Sequence, residues 1–159
     1  MKEIKLESVV RMYTMEELDE TGSMLVKKAM EATNNSYSKY SNFKVGAALI
    51  LENGKVIIGA NQENAAYPVT ICAERTALFA AQANYPDQPV KAIAIAARNA
   101  NGFLDEPISP CGSCRQAILE VEERYGKPIK IYLYGTKGIL EVDSIKDLLP
   151  LSFVEDCLY

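Results

Sequence analysis

Apolar and polar positions along this 159-residue chain change period several times, and each change marks an element. Residues 2 to 13 alternate weakly, with Ile4, Leu6, Val10 and Met12 set among charges, which predicts an N-terminal arm or edge strand over residues 1–13. Thr14-Met15-Glu16-Glu17 fits a capping box. Leu18, Leu25, Ala29 and Ala32 follow at helical spacing, opposite Asp19, Glu20, Lys27, Lys28 and Glu31. The spacing predicts an amphipathic helix of about five turns that starts at Thr14 and ends near Asn34-Asn35. Val45 to Leu51 and Val56 to Ala60 are near-continuous apolar runs joined through Asn53-Gly54, a hairpin signal. Their continuity points to a sheet covered on both faces.

After the polar loop Asn61 to Pro68, helical spacing returns from Cys72 to about Ala83 and is broken by Asn84-Tyr85-Pro86-Asp87. Val90 to Ala97 reads as a buried strand, and Asn99 to Pro110 as a loop rich in turn residues. Cys111 to Tyr125 is a second helix of this half, closed by Gly126 with Pro128 beyond it. Ile129 to Tyr134 and Ile139 to Val142 are further strands, and Ser144 caps a short helix to Leu149. Strands alternating with helices, begun by a hairpin, predict an α/β layer fold with a mixed sheet. No linker or repeat divides the chain, so residues 1–159 are read as one domain.

Composition narrows the functional classes. No apolar run approaches the roughly 20 residues of a membrane helix, and the first residues lack a hydrophobic signal core, so a cytoplasmic protein with no membrane partner is expected. A net charge of −4 with scattered Lys and Arg argues against a nucleic-acid partner and for a small or neutral substrate. Histidine is absent, so hydrolytic proton transfer falls to another side chain, and no histidine can hold a metal.

The chemistry concentrates in Thr70-Ile71-Cys72-Ala73-Glu74-Arg75-Thr76 and Ser109-Pro110-Cys111-Gly112-Ser113-Cys114-Arg115-Gln116. Each segment opens a helix, so Cys72, Cys111 and Cys114 fall where free N–H groups and the helix dipole favour thiolate. Three sulfurs form a Zn²⁺ site with one position left for water, and Glu74 lies two residues from the first as a base. A Cys-x-x-Cys pair alone also fits a redox dithiol, half of a structural zinc site, or two core cysteines. The third cysteine weighs against the first, and a closed site would need Cys157 from the tail as its fourth ligand. The pattern C-A-E … P-C-G-S-C is the three-cysteine form of the zinc deaminase signature.

From about Tyr40 to Phe153 the chain resembles the small, single-domain cytidine deaminases. The matching stretches are Ser41 to Leu49, Asn61 to Pro68, Cys72 to Ala77, Ser109 to Gln116 and Leu148 to Phe153. The resemblance implies a three-layer α/β/α fold around a mixed, mainly five-stranded sheet. It also implies one Zn²⁺ per subunit on Cys72, Cys111 and Cys114, with Glu74 carrying protons from water to the pyrimidine and to the departing ammonia. Arg75 would offset the thiolate charge. Asn61 and Glu63 would bind the ribose hydroxyl, Phe43 would pack on the base, and Ala73 would offer a backbone N–H. Tyr67 and Phe153 would reach a neighbouring subunit's site, which implies a homotetramer. The implied reaction is hydrolysis of cytidine and 2′-deoxycytidine to the uridine nucleosides in pyrimidine salvage. Deamination of another cytosine nucleoside, such as an aminoacyl-nucleoside antibiotic, is the alternative. A non-catalytic zinc-stabilised domain would have no need of a carboxylate beside its first ligand.

Overall fold

The structure, a computed structural model, describes residues 1–158. In chain order it holds β1 (Arg11–Tyr13), α1 (Glu20–Ala32), β2 (Lys44–Leu51), β3 (Val56–Ala60), α2 (Ala73–Asn84), β4 (Val90–Asn99), β5 (Gly102–Phe103), α3 (Gly112–Tyr125), β6 (Lys130–Gly135) and β7 (Gly138–Val142). The strands form one mixed sheet in the order β1-β7-β6-β4-β2-β3, with β5 paired to the end of β4. The five anticipated strands carry it; the three-residue β1 and two-residue β5 extend it to seven. All pairs are antiparallel except β4 with β6, which α3 connects as a crossover.

Side-chain alternation along β4 sorts the layers. Ala92, Ala94 and Ala96 face α1, where Leu25, Val26, Ala29 and Tyr132 complete one core. Ile93 and Ile95 face the other way, packing with Leu49, Ile131 and Leu133 against Ala77, Leu78 and Ala81 of α2 and Ile118 and Leu119 of α3. The result is the three-layer α/β/α arrangement. Two glycines let the helices approach closely. A Cβ on Gly46 would lie 2.1 Å from the Ala29 carbonyl oxygen of α1, and one on Gly59 would lie 2.4 Å from that of Ala73 on α2.

Two sequence expectations shift. The Thr14 capping box forms only a turn: the Glu17 carboxylate accepts from the Thr14 N–H at 2.8 Å, but the helix starts later. Asp19 is the true N-cap, its side chain accepting from the Gly22 N–H at 2.6 Å. In the linear pattern Asp19 falls on the polar face of the helix, yet Asp is among the best N-cap residues. Ser144 does cap, accepting from the Lys146 N–H, but only one 3₁₀ turn (Ile145–Asp147) follows. Gly126 closes α3 in the left-handed conformation, at φ 61°. Among the described residues no helix is long and apolar enough to cross a membrane.

Candidate metal centre

Cys72 and Cys111 each occupy the N-cap position of a helix, with extended backbones at φ −76°, ψ 155° and φ −65°, ψ 166°. A Ser, Thr, Asp or Asn at that position usually turns its side chain back onto the helix N–H groups. Neither cysteine does so. Their sulfurs face each other instead, at 3.8 Å, and the buried Cys114 from the first turn of α3 completes a trio lying within 4.8 Å. A tetrahedron with Zn–S bonds of about 2.3 Å has edges of about 3.8 Å, so the donor set fits zinc with one corner free. The Gly59 contact seats the start of α2 on the sheet, which places Cys72 opposite α3.

Without a cation the trio shares its protons unequally. The Cys72 thiol is brought down to about 5, chiefly by a hydrogen bond from Cys114, with Arg75 and Cys111 adding to it. That same bond, with burial, pushes Cys114 far up. A bound Zn²⁺ would hold all three as thiolates. Arg75 donates from Nη2 to the Cys72 sulfur at 3.7 Å, so one guanidinium charge faces the net negative charge of a Zn–thiolate₃ centre. Glu74 is 4% exposed on the inner side of α2. Burial, and next the neighbouring Cys72 charge, push its carboxyl above the usual range. A base raised in this way can hold a proton between two transfers.

The expected nucleoside-binding residues sit on one connected loop system. The Asn61 side chain donates to the Phe43 carbonyl at 2.9 Å and accepts from the Val45 N–H at 2.8 Å and the Ser36 hydroxyl at 2.6 Å. Asn61 therefore orders the Phe43 turn and keeps one amide hydrogen for another partner. Glu63 accepts from the Tyr40 N–H at 2.6 Å and from the Ser41 hydroxyl, which hold its carboxyl below the ordinary range. Between them, Gln62 bridges to Ile71, the residue before Cys72, and so ties this loop to the sulfur centre. Ala73 is fully buried as the first residue of α2, and Phe43 is half-buried against the α2/α3 core. Tyr67 and Phe153 are exposed, at 71% and 59%; Tyr67 touches this loop system through the Tyr40 ring, and Phe153 is tied to α3 by its backbone carbonyl.

Residues 19–125 match the profile of the family described as cytidine and deoxycytidylate deaminase zinc-binding region. The chain belongs to this family. It is 41% identical over 133 residues to a cytidine deaminase of Halalkalibacterium halodurans, covering 84% of this chain and 94% of that one. A cytidine deaminase of Mycoplasma genitalium is 33% identical, with 81% and 92% covered. Among solved structures, a cytidine deaminase from Burkholderia pseudomallei superposes with a TM-score of 0.70 at 42% identity, covering 82% of this chain and 97% of that one.

Membership and donor geometry agree on one zinc per chain, held by Cys72, Cys111 and Cys114. Other residues of this deaminase-family site have no role visible in the linear sequence. Tyr40 and Ser41 supply the donors that fix Glu63, and Ser41 opens one of the matching stretches. Arg115 and Gln116 follow the last sulfur in the motif, and their partners lie 33 and 37 residues later.

Proposed function

We propose that this protein is a zinc-dependent hydrolase that converts cytidine and 2′-deoxycytidine to uridine and 2′-deoxyuridine with release of ammonia, serving pyrimidine salvage in the cytoplasm as one 159-residue domain. The observation that carries the reading is a buried carboxylate, Glu74, on the helix turn that presents the first of three clustered sulfurs. Bound zinc would supply Lewis-acid activation of water at its open corner. As water adds to C4, Glu74 takes one of its protons and delivers it to N3 of the pyrimidine; it then moves the second, from the hydroxyl now on C4, to the amino group, so that the C4–N bond breaks, ammonia leaves and a C4 carbonyl remains. The burial that raises its carboxyl makes it retain the proton between these transfers. Asn61 and Glu63 bind the ribose hydroxyl, Phe43 packs on the base, and the Ala73 N–H, free at the helix start, meets the ring carbonyl.

Tyr67 and Phe153 act from a neighbouring subunit, in a homotetramer. Support comes from the exposure of Tyr40, Tyr67, Val69, Leu151 and Phe153, apolar surface of the kind a partner copy covers. Tyr40 and Tyr67 meet edge to face, 6.0 Å apart, which presents their rings as a unit.

Loss of ultraviolet absorbance from cytidine, deoxycytidine and an aminoacyl-cytosine nucleoside, run with and without a chelator, tests the reading. Turnover of the first two that stops on zinc removal is expected. Glu74→Gln is expected to keep one zinc per chain and lose at least about 10²-fold in turnover. Full activity in that variant at full metal content would refute the assignment, as would preference for the aminoacyl compound.

A further inference from the structure

Arg115 is the residue after the last sulfur ligand, and its guanidinium works in two directions. Nε donates to the Pro110 carbonyl at 2.8 Å, and Nη1 donates to the Leu148 carbonyl at 2.5 Å. The first carbonyl belongs to the peptide that enters Cys111, the exposed ligand of the trio. Among the described residues, that bond is the only hydrogen bond to a backbone group between Glu106 and Pro110. The second carbonyl lies where the C-terminal segment leaves its 3₁₀ turn. Gln116 then donates from Nε2 to the Phe153 carbonyl at 3.0 Å. Two successive residues of α3 thus fasten residues 148–153 at both ends.

Between the two fastenings the backbone is strained. Leu151 sits at φ +54°, a left-handed conformation costing an ordinary residue about 1 kcal/mol or more. Its side chain is 91% exposed, so side-chain packing does not hold it there. Such strain persists where the surroundings over-determine the backbone; here the bonds from Arg115 and Gln116, with Leu148, Leu149 and Val154 packed on the core to either side, supply that hold.

We propose that Arg115 is a positioning residue that sets the Cys111 sulfur and the Phe153-bearing segment with one guanidinium fork. The inference rests on the zinc and Phe153 assignments above. A guanidinium offers donors in a fixed planar fork, whereas a lysine offers one point charge and cannot serve both carbonyls in the same geometry.

The test uses the full-length zinc-loaded protein and two variants, Arg115→Met and Arg115→Lys, with circular dichroism as the check on folding. Two rates are read without substrate: zinc transfer to a chromogenic chelator and chymotryptic cleavage within residues 148–153. Arg115→Met is expected to raise both at least tenfold, and Arg115→Lys to raise both by a smaller factor. Where cytidine is turned over, KM is expected to rise by a larger factor than kcat falls. Wild-type values of either rate in folded Arg115→Met overturn the proposal. If that variant does not fold, wild-type rates in Arg115→Lys overturn it. Failure of the functional reading shows separately, as wild-type protein that binds zinc but leaves cytidine untouched.

Discussion

At the scale of single residues, two equally buried acids, Glu74 and Glu122, meet different surroundings. Glu74 has burial without a full set of hydrogen-bond donors, so its carboxyl is raised and available to chemistry. Glu122 is equally buried but accepts from the Ile129 N–H at 2.8 Å, the Ile145 N–H at 3.0 Å and the Ser144 hydroxyl at 2.7 Å. It holds α3 to the start of β6 and to the turn after β7. Glu122→Leu would strand two buried backbone N–H groups, each costing about 1–3 kcal/mol. A loss of about 2–5 kcal/mol in urea unfolding is expected, with zinc content unchanged in the folded fraction. A loss below about 1 kcal/mol would mean that water takes over those donors.

At the scale of elements, α2 matters most because it brings both a sulfur and the buried Glu74. Its position depends on the absence of a side chain at Gly59: an added Cβ would meet the Ala73 oxygen at 2.4 Å and the Ala77 nitrogen at 2.5 Å, both backbone atoms that cannot swing away. Gly59→Ala is therefore expected to cost about 1–3 kcal/mol and to weaken zinc retention, since lifting the first turn of α2 moves Cys72 away from Cys111. Urea denaturation with and without added zinc checks this, and an unchanged midpoint would show that the sheet yields instead. The starts of α2 and α3 were legible in the sequence because turn residues and an apolar period bracket them. The start of α1 was not. Thr14 and Asp19 both offer capping chemistry, and only packing against the sheet selects Asp19, which lies 3.1 Å from a Cβ built on Gly22 beneath Tyr132.

At the scale of the whole molecule, the sheet edge and the N-terminal arm carry exposed apolar positions. β1 adds only three residues to β7, and before it residues 1–10 carry no regular structure, with Ile4, Leu6, Val9 and Val10 exposed. Among the described residues, their one hydrogen bond to the body of the fold runs from the Ser8 hydroxyl to the Asp147 carbonyl. Deleting residues 1–10 is expected to lower the thermal midpoint by less than about 4 °C, the effect of roughly 1 kcal/mol in a domain of this size, and to leave one zinc per chain. A much larger drop would place the arm in an interface between copies.

The linear sequence by itself determined the chemistry of the centre. Spacing along a helix start is a local property, so three cysteines at two helix starts and the absence of histidine already pointed to sulfur ligation of zinc, and a carboxylate two residues on made Glu74 the candidate base proposed above. It likewise determined most element types and the alternation along β4 that sorts two cores. Tertiary structure alone decided that Cys72 and Cys111, 39 residues apart, meet at 3.8 Å, and that Arg115 reaches a carbonyl 33 residues further on. It also left Tyr67 and Phe153 exposed on the chain's own surface. Which residues meet depends on how sheet register and helix packing fold distant segments together, and no local period in the sequence encodes that distance.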